Sequence, residues 1–341
     1  MNSVLFKRHL CWRQTCLMIG LLLSAAIGHC ETCRGDEPQR VRGDLLLIVG
    51  TPGTEEYHER FRQWGEKWIA AAAAGHLQVT SLGLKTEEAA TLDRIREKIS
   101  GLVDEKQTPL WIVLIGHGTF DGQSAKFNLP GTDLDPEMLE ECLSPMSRPV
   151  AIIQCASASA PFLQTLAAPG RVVITATNSG NEVNFSYFGQ YLALAITHPA
   201  ADLDKDEQIS LLEAFLYATQ QTEQFYHGEG RLASEHAVMD DNGDARSVSA
   251  EGFDGLRPVR RQDRQHLLPD GTVAHQWILV PNAVDATLSP EVIAARNEIE
   301  LQISALQLAK PEMQAEEYYT ALELLFVQLA RLMLTPEQTT P

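Results

Sequence analysis

Apolar residues along this chain fall into two rhythms. Five short runs rich in β-branched residues or leucine, at 44–50, 76–81, 109–115, 148–154 and 171–177, each stop at glycine or polar residues. Between them, at 55–74, 86–105, 135–143 and 161–168, apolar residues recur at the spacing of one helix face. Short apolar runs alternating with helical segments predict a parallel sheet buried on both sides and covered by helices. Two more helices are predicted at 184–197 and 210–224. A polar stretch rich in Asp, Gly and Arg follows at 239–270, and then a last strand at 273–280. The tail reads as two amphipathic helices, 290–308 and 311–334, broken at Lys310-Pro311. That is a helical hairpin, expected to pack on the domain. The organisation is therefore an α/β domain at 40–285 with a hairpin at 289–335.

The first residues belong to neither rhythm. Lys7, Arg8 and Arg13 precede an apolar run at 17–28 that ends in small residues around Ala25 and Ala26. This is the layout of a secretory signal peptide, 1–28, and the run falls short of the roughly 20 apolar residues a spanning helix needs. The expected location is periplasmic, secreted or cell-surface, with no stable membrane insertion once the leader is removed. The 341-residue chain carries a formal charge of −18, and losing three basic leader residues makes it more acidic still. A surface of that sign argues against nucleic acid and anionic lipid as partners. Cys11 and Cys16 leave with the leader. Cys30, Cys33, Cys142 and Cys155 remain, too few for a disulfide scaffold and without the second pair a zinc site needs.

Chemistry enters at the ends of the third and fourth apolar runs. Ligand sites in a parallel sheet gather at the carboxyl ends of the strands. The third run ends Ile115-Gly116-His117-Gly118 and the fourth ends Ile152-Ile153-Gln154-Cys155. On neighbouring strands, about 4.8 Å apart, an imidazole and a thiol would project from one rim, and this pairing is what a cysteine peptidase requires. The lone alternatives are bland, because a single Cys usually packs in a core. Gly118 would let its N–H approach an oxyanion. A helix starting near Pro161 would add its dipole to a thiolate. Gly50-Thr-Pro-Gly53 lacks both the P-loop and the dinucleotide signatures and reads as a tight turn, so no organic cofactor is expected. No Gly-x-Ser-x-Gly elbow is present.

The segments Trp111–Gly118 and Ala151–Ser159 resemble the caspase–legumain group of cysteine peptidases. In that group an apolar block, His-Gly, a spacer, a second apolar block and the nucleophilic Cys follow in order. Gln154-Cys155 is similar to caspases; Cys155-Ala-Ser157-Ala-Ser159 looks more like legumains, with Ala158 where legumains have Gly. The resemblance covers roughly 44–245. It implies a caspase-like three-layer α/β fold with a mostly parallel central sheet. It also implies His117 as general acid/base, Cys155 as nucleophile, the N–H groups of Gly118 and Cys155 as an oxyanion hole, and a peptide or protein substrate. The expected activity is an exported cysteine endopeptidase; the alternative is a catalytically degenerate domain that binds protein or calcium. The turn after the fifth strand, with Asn178, Ser179 and Asn181, is expected to line the substrate pocket.

A second motif lies at 202–213. Counted from Asp202, oxygen-bearing side chains fall at loop positions 1, 3, 5, 7, 9 and 12: Asp202, Asp204, Asp206, Gln208, Ser210 and Glu213, with Ile209 at position 8. That is the EF-hand ligand order, with structural Ca²⁺ as the implied ion. Glu207 stands at position 6, where a left-handed residue costs about 1–2 kcal/mol, so binding is expected on the order of 10⁻⁴–10⁻³ M. Ser210-x-x-Glu213 is equally a capping box for the next helix. A further acidic run, Asp240-Asp-Asn242-Gly-Asp244, repeats the opening, but Ser247 stands at position 8. Glu251 falls at position 12, so calcium is an alternative, but the run reads first as a turn or pocket rim.

Overall fold

The computed structural model describes residues 41–85, 88–103, 108–259 and 268–334. The leader, Cys30 and Cys33 lie outside them. From Arg40 onward the chain is one compact unit. Its centre is a seven-stranded sheet in the order β2-β1-β3-β6-β7-β8-β9. The strands are β1 (Gly43–Val49), β2 (Leu77–Leu82), β3 (Leu110–Ile115), β6 (Val150–Gln154), β7 (Arg171–Thr175), β8 (Val238–Asp240) and β9 (Val248–Ser249); β4 (Gly118–Phe120) and β5 (Ala125–Phe127) form a separate hairpin. The first five pair in parallel, and β8 and β9 join antiparallel.

Side chains of a strand alternate between faces, and the two faces carry separate cores. Leu45, Leu47, Trp111, Val113, Ala151 and Ile153 point to one face. It is covered by α1 (Glu55–Ala74), α5 (Phe188–Ala195) and α6 (Leu211–Gly228). Leu46, Ile48, Ile112, Leu114 and Ile152 point to the other. That face is covered by α2 (Leu92–Ser100), α3 (Pro136–Leu143) and α4 (Ala160–Leu166). Helix α1 starts where Thr54 accepts the Tyr57 N–H and ends at Gly75, whose own N–H returns to Ala71. The architecture is thus the three-layer, mostly parallel arrangement expected. The tail is the predicted hairpin, α7 (Pro290–Ala309) and α8 (Ala315–Leu334).

Two expectations need correction. The segment 273–280 is not a strand; it contains a 3₁₀ turn, Ala274–Gln276, and a single bridge between Ile278 and Ser210. The cause is Asp241, whose carboxylate accepts the N–H groups of Gly271, Val273 and Ala274 and so curls the backbone. The sheet is extended instead by β8 and β9, out of the stretch read as polar and irregular. The helix expected at 86–105 is the shorter α2, within Leu92–Ser100.

At the amino edge of the sheet Asp44 and Arg148 form a buried ion pair at 2.6 Å, and Arg148 also donates to the carbonyls of Thr108 (2.8 Å) and Pro109 (3.2 Å). Removing one partner strands the other charge. Asp44→Ala is therefore expected to cost about 3 kcal/mol or more in urea unfolding, and a loss under about 1 kcal/mol would show that the pair contributes little.

Candidate functional site

Strands β3 and β6 are parallel neighbours with Leu114 opposite Gln154, so His117 and Cys155 do follow adjacent strand ends. Cys155 continues the ladder, its N–H donating to the Leu114 carbonyl at 2.9 Å. Alternation then sends its side chain to the face of Ala151 and Ile153, into the core beneath α5. Only 1% of the residue is exposed. Helix α5 crosses directly above it at Gly189, where a Cβ would fall 2.7 Å from the Cys155 Cβ and 3.2 Å from its Sγ. Burial, reinforced by the charge of Glu235, pushes the Cys155 thiol up to about 12. At neutral pH it is held as the thiol.

His117 is half-buried against rings from α1 and the 178–187 segment. Tyr57, Phe61 and Phe185 lie 4.6, 5.1 and 5.8 Å from it, centroid to centroid. Its Nε2 makes a 3.1 Å hydrogen bond with the Pro52 carbonyl, inside the tight turn at 50–53. Burial lowers its pKa, partly offset by that carbonyl. Among the described residues no hydrogen bond joins His117 to Cys155.

The remaining parts of the expected machinery are engaged elsewhere. The Gly118 N–H donates to Ser157 Oγ at 3.3 Å, and the Ser157 hydroxyl donates back to the Gly118 carbonyl at 3.0 Å. The glycine is required by this contact, because a Cβ there would lie 2.0 Å from the Ser157 carbonyl oxygen. The Cys155 N–H is held in the ladder. At the start of α4 the N–H groups of Ser159 and Ala160 donate to Thr177 Oγ1, not towards the thiol. Ala158 has φ +55°, a left-handed conformation that favours glycine.

The turn after β7 is closed on itself. Asn178 N–H donates to Glu182 Oε2 at 3.0 Å, and Asn181 N–H to Ser179 Oγ at 3.1 Å. Glu182 also pairs with the His236 ring at 2.5 Å. Of the three predicted residues, Asn178 lines a cavity of about 130 Å³, with Phe188, Thr219, Glu223, Glu235 and Glu251 around it. Ser179 and Asn181 do not. Glu235 was not anticipated. It is a buried carboxylate accepting from Ser186 Oγ (2.5 Å), the N–H groups of Tyr187 (2.8 Å) and Phe188 (3.0 Å), and Tyr226 Oη (3.0 Å). Burial raises its pKa, and those donors pull it back down. Three of its four partners lie 47–49 residues away, so no local spacing could have marked it.

In the 202–213 loop the carboxylate oxygens of Asp202, Asp204 and Asp206 lie within 4.8 Å of one another. Glu207 has φ +68°, the left-handed conformation expected at position 6. Glu213 is buried and folds back over the loop, accepting the Leu203 N–H at 2.7 Å and the Ser210 N–H at 2.8 Å. The capping box read from Ser210-x-x-Glu213 is complete. Gln208 donates to Asp206 at 2.9 Å, and Ser210 Oγ donates to Glu213 at 2.8 Å. Burial, then the charges of Glu213 and Asp206, raise the Asp204 pKa.

The 240–244 run is a turn but not a rim. Strand β8 runs against β7 with Asp240 opposite Val173, and Gly243 packs on Ala168 and Pro169, at the amino edge, away from His117 and Cys155.

No protein-family description matches this sequence, and no curated protein does. Several solved caspases are similar in fold. Caspase-1 from Spodoptera frugiperda is 11% identical with a TM-score of 0.40, covering 62% of this chain and 90% of that one. The Drosophila initiator caspase Dronc gives 11% and 0.40, over 62% and 84%. The caspase drICE gives 13% and 0.39, over 60% and 90%. Likeness at that level carries no residue role and no activity to this chain.

Iodoacetamide at pH 8 should modify half-buried Cys142 while native Cys155 reacts at least about 100-fold more slowly, becoming equivalent only in denaturant. Peptide mass spectrometry reads both sites. Fast alkylation of Cys155 in the native protein would contradict the burial argument.

Proposed function

We propose that this chain is an exported, caspase-like domain that does not cleave peptide bonds and instead serves as a calcium-dependent polypeptide-binding module. The observation that carries this reading is the closed thiol: Cys155 lies under Gly189 of α5, protonated, with no hydrogen bond to His117. Nucleophilic catalysis needs a thiolate with access to a carbonyl carbon, and neither condition is met. The small cavity beside Asn178, with Glu223 and Glu251 at its wall, has the size and sign for one basic side chain of a polypeptide.

Calcium is supported by the loop before α6. Three carboxylates converge there, and Glu213 stands at position 12 with its oxygens accepting the Leu203 and Ser210 N–H groups. Four like charges in one short loop repel unless a cation is bound. An affinity on the order of 10⁻⁴–10⁻³ M would suit extracellular calcium.

A second reading, an active cysteine peptidase using the His117/Cys155 pair, keeps one observation in its favour: the two residues follow adjacent parallel strands. It requires α5 to lift from Cys155.

A thiol-directed peptide warhead separates the two. The wild-type chain is expected to show no labelling and no amidase activity above the Cys155→Ala and His117→Ala variants; labelling lost specifically in Cys155→Ala would establish the peptidase. For calcium, melting in chelator and then in millimolar Ca²⁺ should show stabilisation approaching about 2.7 kcal/mol at a hundredfold excess over Kd. Glu213→Gln should lose most of that gain. Equal gains in both proteins, or from Mg²⁺, would reduce the loop to a capped helix start. Export predicts a mature N-terminus between residues 27 and 34 in the native host, and an intact Met1 on cytoplasmic protein would refute it.

A further inference from the structure

The two acidic runs share one backbone design. In the first, the N–H groups of Lys205, Asp206 and Gln208 donate to the Oδ1 atoms of Asp202 (2.7 Å), Asp204 (3.3 Å) and Asp206 (2.9 Å). In the second, the N–H groups of Gly243, Asp244 and Arg246 donate to the Oδ1 atoms of Asp240 (2.9 Å), Asn242 (3.0 Å) and Asp244 (2.8 Å). The left-handed residues coincide too: Lys205 (φ +64°) and Glu207 (φ +68°) match Gly243 (φ +77°) and Ala245 (φ +61°).

Loop shape by itself makes no site. What sets the second loop apart is buried oxygen left unused. Asp240 is fully buried, and among the described residues its Oδ2 and the buried Oδ2 of Asp244 have no hydrogen-bond partner. The two carboxylates come within hydrogen-bonding reach of each other. A third, Asp270, lies alongside, accepting the Asp241 N–H at 3.3 Å. A buried carboxylate oxygen without a partner is costly, and an array of like charges more so. A cation or a shared proton between Asp240 and Asp244 would answer those oxygens.

We propose that it is a cation: Asp240, Asn242 and Asp244 form a second site for a hard divalent ion of the calcium class, at the amino edge of the sheet. Three oxygen-bearing side chains stand at positions 1, 3 and 5, the opening ligands of a calcium loop, and Arg246 brings the position-7 carbonyl. Burial and the charge of Asp244 raise the Asp240 pKa against the backbone N–H at its Oδ1, and a cation between the two carboxylates would relieve both costs. The site rests on its own oxygens and does not depend on occupancy of the 202–213 loop.

The two loops meet at one segment. Asp241, inside the second loop, holds the N–H groups of Gly271, Val273 and Ala274, while His275 reaches Ser210 (3.3 Å) and Asp204 (3.6 Å) of the first. Ions in both would fasten the 270–276 turn from two sides.

The test is calorimetric titration of the full chain with Ca²⁺ alone, in four proteins. These are wild type, Asp202→Asn with Asp206→Asn, Asp244→Asn, and all three changes together. The first-loop variant should retain one calcium equivalent and a calcium-dependent rise in melting temperature, and adding Asp244→Asn should abolish both. Loss of all binding in the first-loop variant, or survival of its equivalent after Asp244→Asn, overturns the second site and leaves the first standing. Binding lost with Asp244→Asn but unaffected by the first-loop changes would support this site and refute the other. Asp240→Asn adds a sharper control, since an amide can replace a shared proton but not a cation's ligand charge. If Asp240→Asn melts above wild type in calcium, the pair holds a proton and the proposal fails. If it does not fold, half-exposed Asp244 carries the same test.

Discussion

The parallel pairing of β3 with β6 governs the rest of this molecule. Once Leu114 stands opposite Gln154, the next residue of β6 is tied to the ladder through its N–H, and the two-residue repeat of a strand leaves its side chain no choice of face. Cys155 must point where Ala151 and Ile153 point, into the layer under α1 and α5. Gly189 allows α5 to come down onto the thiol, because any larger residue there would collide with it. Burial then keeps the thiol protonated. His117, on the neighbouring strand end, is left among Tyr57, Phe61 and Phe185 with Pro52 as its hydrogen-bonding partner. The same close packing takes the Gly118 N–H for Ser157.

The other edge of the sheet has the opposite character. Its buried groups are charged, and each is answered by backbone donors or by a partner of opposite sign: Arg148 by Asp44, Asp241 by three N–H groups of the 271–274 segment. Among the described residues Asp240 and Asp244 are the exception, each with a carboxylate oxygen unanswered. In a chain of formal charge −18, cations are the economical counterpart for such acidic loops. Two loops of one design, both touching the 270–276 turn, would let calcium set the rigidity of this edge without involving the cysteine.

Much of this was legible in the chain itself, for identifiable reasons. Strands buried on both faces are almost wholly apolar, so β1, β3, β6 and β7 were visible as continuous runs, and the hairpin as two amphipathic helices. The clustering of Asp202, Asp204 and Asp206 was visible because their spacing is local. β8 and β9 were not: runs of two or three residues have no periodicity, and Val238-Met239 sits beside an acidic cluster that masks it. The 273–280 run looked like a strand until Asp241, thirty residues upstream, claimed its N–H groups. For Cys155 the sequence marked the strand end but not the depth, which depends on where α5 crosses. Glu235 acts through partners distant in the chain and left no local trace.

The central claim, that Cys155 is a core thiol and not a nucleophile, is tested most directly by its ionisation. With cysteine labelled at ¹³Cβ, the Cys155 resonance should hold its protonated position from pH 5 to 9, since burial pushes that thiol up to about 12. It should also be indifferent to His117→Ala. A titration of the Cys155 signal between pH 5 and 8 that disappears in His117→Ala would reveal a thiolate–imidazolium pair and contradict the account.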